Sequence, residues 1–187
     1  MAGQKIDGIE VSNAVKDILK NAVEKLNSEN VMPCLATVLV GDDPASATYV
    51  KNKHIACEKI GIKTKDHKLS ADITQEELNK VIDKLNNDKE VHGILVQLPL
   101  SKQLDEFATI SRISPIKDVD GLTPQNVGLL SMGKSILRPC TPSGIMEMFY
   151  YYKINLQGKN VVMINRSNLI GKPLYHLLLQ NNATVVT

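Results

Sequence analysis

Hydrophobic and polar positions switch between helical and strand periodicity along this chain, which predicts an α/β protein. Residues 8–29 repeat apolar side chains at helical spacing, on one face of a helix. Residues 35–40 form a short apolar run, typical of a buried strand. Next, the turn at 41–44 opens a predicted helix that stops at Gly61, and a strand at 62–68 follows. The capping box of Thr74 and Glu77 starts a helix that ends at about 86, and a strand at 91–98 comes after it. Helices are then predicted at 104–112 and 124–132, and a last one is capped by Thr141, opened by Pro142 and ends near 152.

The pattern restarts after Gly158, where a strand at 160–164, a helix at 173–180 and a strand at 183–187 predict one βαβ unit. Such a unit opens a dinucleotide-binding domain. Two strands and one helix cannot bury both faces of a sheet, so we expect a C-terminally truncated protein.

Composition narrows the class of protein further. The 187 residues are 43% hydrophobic and 22% charged, with a net charge of +2 and no long block of one sign, so neither a nucleic-acid nor a membrane surface is expected. The N-terminus is not followed by an apolar run and no stretch approaches the ~20 apolar residues of a membrane span, which makes a cytoplasmic protein the default. The three cysteines and four histidines lack metal-ligand spacing, and no metal is assigned.

One predicted helix carries candidate chemistry. Tyr49 and Lys53 are four residues apart and Ser46 is three before Tyr49, so the three share a face, on the same side as the apolar positions. The Lys53 amine should therefore point toward the protein, and Gln97 brings an amide to the end of an apolar strand. Such a set suits a planar heterocycle and proton transfer on it. The alternative is a half-buried ring with a lysine that reaches out to solvent.

A loop punctuated by glycine and proline adds two carboxylates, Asp118 and Asp120. Turn or cap chemistry accounts for one of them, and we assign that structural role to Asp118.

Five segments together resemble the methylenetetrahydrofolate dehydrogenase/cyclohydrolase family in order and spacing, from about residue 5 to the last residue. They are SATYVKNK (46–53), VQLPL (96–100), KDVDGLTPQNVG (117–128), RPCTPSG (138–144) and VVMINRSNLIGKPL (161–174). The resemblance implies oxidation of 5,10-methylenetetrahydrofolate to the methenyl form with a nicotinamide cofactor, and hydrolysis to 10-formyltetrahydrofolate. It also implies an αβα catalytic, folate-binding domain at 1–141, then the first βαβ unit of an incomplete Rossmann-like NAD(P)-binding domain at 142–187, and a homodimer.

Carried over from the family, Lys53 is the catalytic lysine and Gln97 holds its amine by a hydrogen bond without fixing its charge, as a carboxylate would. Tyr49 stacks on the plane of the folate, and Asp120 accepts two N–H bonds from the edge of the pterin. Ser46 either binds substrate or caps a turn. These residues predict a folate site.

The resemblance places Arg166 and Ser167 at the adenosine phosphate of the cofactor. A guanidinium and a hydroxyl suit a 2′-phosphate, which favours NADP, with NAD as the alternative. Gly171 lets the following helix approach the cofactor. Asn165 stands where the family usually has glycine, which bears on the choice of cofactor. Thr141 either lies near the nicotinamide or is only a helix cap.

Three rival hypotheses remain. The protein is a dehydrogenase without cyclohydrolase activity, a folate-binding module without dehydrogenase activity, or a different two-domain dehydrogenase with an unrelated small substrate. Lys53 and Gln97 together argue against the first, and Asp120 with Tyr49 against the last.

Overall fold

The computed structural model describes residues 3–187, and over these residues the chain forms seven helices and five strands. The helices and strands alternate and all three strand pairs are parallel, so the predicted α/β class is confirmed. In chain order the elements are α1 (Gly8–Ser28), β1 (Cys34–Val40), α2 (Pro44–Lys59), β2 (Lys63–Leu69), α3 (Gln75–Asn87), β3 (Gly93–Val96), α4 (Glu106–Arg112), α5 (Pro124–Ser131), α6 (Cys140–Tyr151), β4 (Asn160–Val162), α7 (Gly171–Gln180) and β5 (Thr184–Val186).

The helix ends follow local chemistry that the sequence displays. Asp43 caps α2 by accepting a hydrogen bond of 2.7 Å from the Ser46 N–H, and Pro44 stands in the first turn. Beyond α2, Gly61 adopts a φ of +81°, which favours glycine. Thr74 and Glu77 form the predicted capping box at the start of α3. The predicted start and stop of α2 and the start of α3 are therefore confirmed.

The start of α6 was predicted wrongly. Thr141 is not the cap: the helix begins at Cys140, and Pro139 at the cap position makes no side-chain hydrogen bond. Pro142 is thus the third helical residue, not the first. It is tolerated there because the first N–H groups of a helix have no partner within the helix.

Three predicted strands are shorter than expected. β3 spans Gly93–Val96 rather than 91–98; the Gln97 N–H after it still bonds to β1, and a cis Leu98–Pro99 bond follows. Within residues 3–187 β4 pairs only with β5, and the two strands span Asn160–Val162 and Thr184–Val186 rather than 160–164 and 183–187.

Lys16–Val119 forms one compact unit around a parallel sheet of order β2-β1-β3. The middle strand β1 pairs Val38 with His67 of β2 and Val96 of β3. α2 joins β1 to β2, and α3 joins β2 to β3 in the opposite direction across the sheet. Right-handed crossovers then put these helices on opposite faces, which explains why β1 is buried almost throughout.

The second unit combines residues up to Val15 with Asp120–Thr187. Here β4 and β5 pair in parallel and α7 connects them, which confirms the predicted βαβ unit. Its core comprises Leu130, Met146, Leu156, Met163, Leu174, Leu177, Leu178 and Ala183. The predicted division at residue 141 stays a prediction. No helix within residues 3–187 is long and apolar enough to cross a membrane.

Candidate active site

Lys53 and Gln97 meet in the first unit. The Lys53 ammonium on α2 donates a hydrogen bond of 3.2 Å to the Gln97 side-chain oxygen, Oε1. The other end of that amide, Nε2, donates to the Leu98 carbonyl at 2.8 Å, which turns Oε1 toward the lysine. The Gln97 backbone N–H donates to the Val38 carbonyl of β1 at 2.9 Å. The position of the Gln97 amide is thus fixed by contacts that do not involve Lys53.

The three predicted residues of α2 do not share one environment. Ser46 is buried at 5% exposure and Lys53 is half-buried, so the expected inward direction of the amine is confirmed. Tyr49, however, is 64% exposed, and its prediction on the inward side is wrong. One residue before the buried Val50, it lies about 100° around the helix from that side chain. Its ring is open to solvent and available for stacking.

Lys53 is held by an amide rather than by a carboxylate. Across the described residues 3–187, Lys53 takes part in no ion pair. The amine therefore has no fixed counter-ion, and its remaining N–H groups are available to donate hydrogen bonds to a ligand.

Lys117 and Asp118 hold their loop against β3. The Ile94 N–H donates to the Lys117 carbonyl at 2.7 Å, and Asp118 forms a parallel bridge with Ile94. Lys117 Nζ donates to three backbone carbonyls at the end of α3, at 2.7 to 3.1 Å. A Cβ on Gly93 would lie 2.5 Å from Val119, so this close approach needs glycine. Asp118 is 1% exposed, a burial that fits the structural role assigned to it.

Asp120 belongs to the other unit and is half-buried. Its Oδ1 accepts a hydrogen bond of 3.6 Å from the Cys140 thiol. Gly121, with φ +63°, follows it, and a Cβ there would lie 2.9 Å from the Arg138 carbonyl carbon. The carboxylate is therefore anchored between a tight turn and the start of α6, where the exposed Thr141 also lies.

The loop between β4 and α7 is built around the Ser167 hydroxyl. The Ile170 and Gly171 N–H groups donate to it at 3.1 and 3.4 Å, while the Ser167 N–H donates to Asn165 Oδ1 at 2.9 Å. A Cβ on Gly171 would lie 2.4 Å from the Asn165 carbonyl oxygen. The Asn165 side chain is thus part of the loop's own bonding, and the Ser167 O–H keeps its proton for another partner.

This loop suits a phosphate group. Arg166 is exposed and forms no ion pair with any carboxylate in the described part of the chain. The first turn of α7 contains no acidic residue, and Lys172 adds an exposed positive charge. A helix N-terminus with free cations attracts an anion.

Sequence reasoning missed one polar cluster beside α2, made of Thr37, His54 and Asp66. Its only signal was a threonine inside an otherwise apolar strand. Residues 3–187 contain no group of three or more histidine, cysteine or acidic side chains arranged to hold a metal ion.

The sequence of this chain matches two models of one known protein family. The model of the tetrahydrofolate dehydrogenase/cyclohydrolase catalytic domain matches residues 6–120, and that of the family's NAD(P)-binding domain matches residues 139–187. The chain belongs to the tetrahydrofolate dehydrogenase/cyclohydrolase family. The family predicted from five motifs is confirmed.

Named relatives agree with this family assignment. The chain is 68% identical over its whole length to bifunctional protein FolD of Nitrosopumilus maritimus, and 59% identical over 97% of its length to that of Cenarchaeum symbiosum. It spans 65% and 64% of the length of these two proteins.

Solved structures of the family have the same fold. A FolD methylenetetrahydrofolate dehydrogenase/cyclohydrolase from Campylobacter jejuni is 45% identical with a TM-score of 0.97, over 99% of this chain and 66% of that one. The Trypanosoma brucei enzyme, solved with NADP and an inhibitor, is 35% identical with a TM-score of 0.95, over 100% of this chain and 64% of that one. An NAD-dependent dehydrogenase from Saccharomyces cerevisiae is 27% identical with a TM-score of 0.83, over 95% of this chain and 62% of that one.

Gly171→Ala should destabilise the protein, because its Cβ meets the Asn165 backbone rather than a mobile side chain end. We expect the free energy of unfolding in urea to fall by about 1–3 kcal/mol. Gly144→Ala in α6 is the matched control, since a Cβ there meets nothing within 4 Å and should stabilise by about 0.5–1 kcal/mol. Equal stability of Gly171→Ala and the unchanged protein would contradict the close approach.

Proposed function

We propose that this protein interconverts folate-bound one-carbon units. It oxidises 5,10-methylenetetrahydrofolate to the methenyl form with NADP and hydrolyses that product to 10-formyltetrahydrofolate. Family membership supports both activities, and the hydrogen bond of 3.2 Å between Lys53 and Gln97 is the observation that carries the hydrolytic one. The activities serve one-carbon metabolism and purine biosynthesis.

Lys53 is the proton-transfer group in this proposal. Its amine takes a proton from the water that attacks the methenyl carbon and delivers it to the ring nitrogen that leaves as the ring opens. The remaining hydroxyl proton is released to solvent as the formyl C=O forms. Gln97 orients the amine and, as a neutral amide, allows it to gain and lose the proton. A carboxylate at the same place would hold the ammonium charged.

Three further residues bind the folate. The exposed ring of Tyr49 stacks on the flat part of the substrate, and Asp120 accepts N–H bonds from the pterin edge. Ser46 is buried on the same side of α2 as Lys53, about two turns earlier, and adds a hydroxyl there. The Cys140 thiol beside Asp120 keeps that carboxylate in place.

The cofactor lies at the loop before α7 in this proposal. Arg166 and the Ser167 hydroxyl bind its adenosine phosphate, Asn165 and Gly171 shape the loop, and Thr141 lies toward the nicotinamide. The bound cofactor supplies the acceptor for the hydride that leaves the methylene carbon. The free guanidinium of Arg166 favours NADP over NAD, in line with the NADP complex of the Trypanosoma brucei relative.

The second candidate function is a dehydrogenase without hydrolysis, since the Saccharomyces cerevisiae neighbour is named as a dehydrogenase alone. Hydrolysis of methenyltetrahydrofolate in the absence of cofactor separates the two. We further propose a homodimer in the cytoplasm, in line with an ordinary balance of charged residues without long blocks of one sign.

Lys53→Met should abolish hydrolysis of methenyltetrahydrofolate while folate still binds, because the proton-transfer group is lost and the substrate contacts remain. The loss of methenyl absorbance measures the reaction, and calorimetry measures binding. Lys51→Met is the matched control, as Lys51 is an exposed lysine on the same helix. Hydrolysis by Lys53→Met at the unchanged rate would remove Lys53 from the mechanism.

Asp120→Ala should weaken folate binding by about 1.5–3 kcal/mol, the typical value of hydrogen bonds to a charged group. Asp120→Asn keeps the shape but offers one oxygen acceptor and one donor, so it should bind with intermediate affinity. Calorimetric titration with a folate tests both variants. An unchanged affinity for Asp120→Ala would place Asp120 outside the substrate site.

A further inference from the structure

Three polar side chains meet beside α2, one residue away from Lys53. Thr37 comes from the middle strand β1, His54 from α2 and Asp66 from β2. The Thr37 hydroxyl donates to Asp66 Oδ1 at 2.8 Å, and His54 Nε2 lies 2.8 Å from that same oxygen and 3.1 Å from Thr37 Oγ1. Thr37 is 1% exposed, whereas the side chain of His54 is 21% and that of Asp66 54% exposed, so the cluster reaches from the core of the unit to its surface.

The protons in this cluster have one consistent arrangement. The single hydroxyl proton of Thr37 goes to Asp66, and an ionised carboxylate only accepts. His54 Nε2 must therefore carry a proton and donate it to both oxygens. The neutral tautomer with Nε2–H and the protonated ring both meet this requirement, so the contact holds in either form.

The cluster is linked to the Lys53 site through two pairs of adjacent residues. On α2, His54 follows Lys53; on β1, Val38 follows Thr37. His54 bonds directly to Thr37, while Lys53 bonds to Gln97, whose N–H is held by the Val38 carbonyl. A rotation or slide of α2 over β1 would thus disturb both contacts together.

We propose that His54 is a positioning residue that fixes α2 on the sheet and so sets where the Lys53 amine lies against Gln97. The inference rests on the proposed role of Lys53 in hydrolysis. Thr37 and Asp66 are the acceptors that make His54 effective. A displacement of about 1 Å at a catalytic group can lower a rate by about 100-fold, so a small shift of α2 is enough to matter.

The test compares His54→Leu, which removes the donor, with His54→Gln, which keeps an N–H at similar reach. For His54→Leu we expect kcat of methenyltetrahydrofolate hydrolysis to fall by about tenfold with KM changed less than about twofold. His54→Gln should restore most of kcat. Asn52→Leu is the matched control, because Asn52 flanks Lys53 on the other side and is exposed.

A purely structural role would give a different result. The melting temperature of His54→Leu would fall while kcat, measured well below that temperature, stayed unchanged, and this would overturn the proposal. The effect of His54→Leu on kcat is also measured in the Gln97→Ala variant. If His54→Leu lowered kcat by the same factor there as in the protein with Gln97, the proposal would be overturned, since the effects of residues that act through one contact are not additive.

Crystal structures of the two His54 variants test the inference without a measurement of enzyme activity. The contact between Lys53 Nζ and Gln97 Oε1 should be lost in His54→Leu and kept in His54→Gln; its retention in both contradicts the proposal. Thr37→Val serves the same purpose if His54→Leu does not fold. Absence of hydrolysis by the unchanged protein would instead count against the proposed function.

Discussion

The hydrogen bond between Lys53 and Gln97 depends on one structural constraint, the parallel pairing of β1 with both of its neighbours. Gln97 is placed because it directly follows β3 and its N–H bonds to Val38 of β1. Lys53 is placed because α2 crosses from β1 to β2 and packs on the strands that it joins. Since β1 is the middle strand, its register against β2 and β3 determines whether the two side chains meet.

The chemistry of the site follows from what holds the lysine. An amide that is itself fixed by the Leu98 carbonyl gives the amine a direction but no permanent charge partner. That combination suits a group that must gain and lose a proton, whereas an ion pair would favour a single state. Of the two acidic residues in the segment 117–128, Asp118 is buried beside β3 and Asp120 belongs to the other unit.

Local signals in the sequence were enough for most of the fold. The Asp43 and Thr74 caps, Gly61 after α2 and the apolar runs each act within a few residues, so spacing alone finds them. The start of α6 was missed because a proline is tolerated throughout the first helical turn.

The site was predictable only in part. Helical spacing predicted correctly that Lys53 faces the protein, but it did not show that Tyr49 lies beyond the edge of the buried face. The pairing of Lys53 with Gln97 joins residues 44 positions apart and came from the family motifs, not from periodicity. The cluster of Thr37, His54 and Asp66 depends on strand register, which no local pattern contains.

The most direct test of this account is the rate of methenyltetrahydrofolate hydrolysis by Gln97→Glu. The glutamate has nearly the same shape but puts a carboxylate against Lys53. If the lysine must be held without a fixed counter-charge, the rate at neutral pH should fall by at least about tenfold while folate affinity is retained. Hydrolysis at the unchanged rate would show that a neutral partner is not required, and would contradict the central claim.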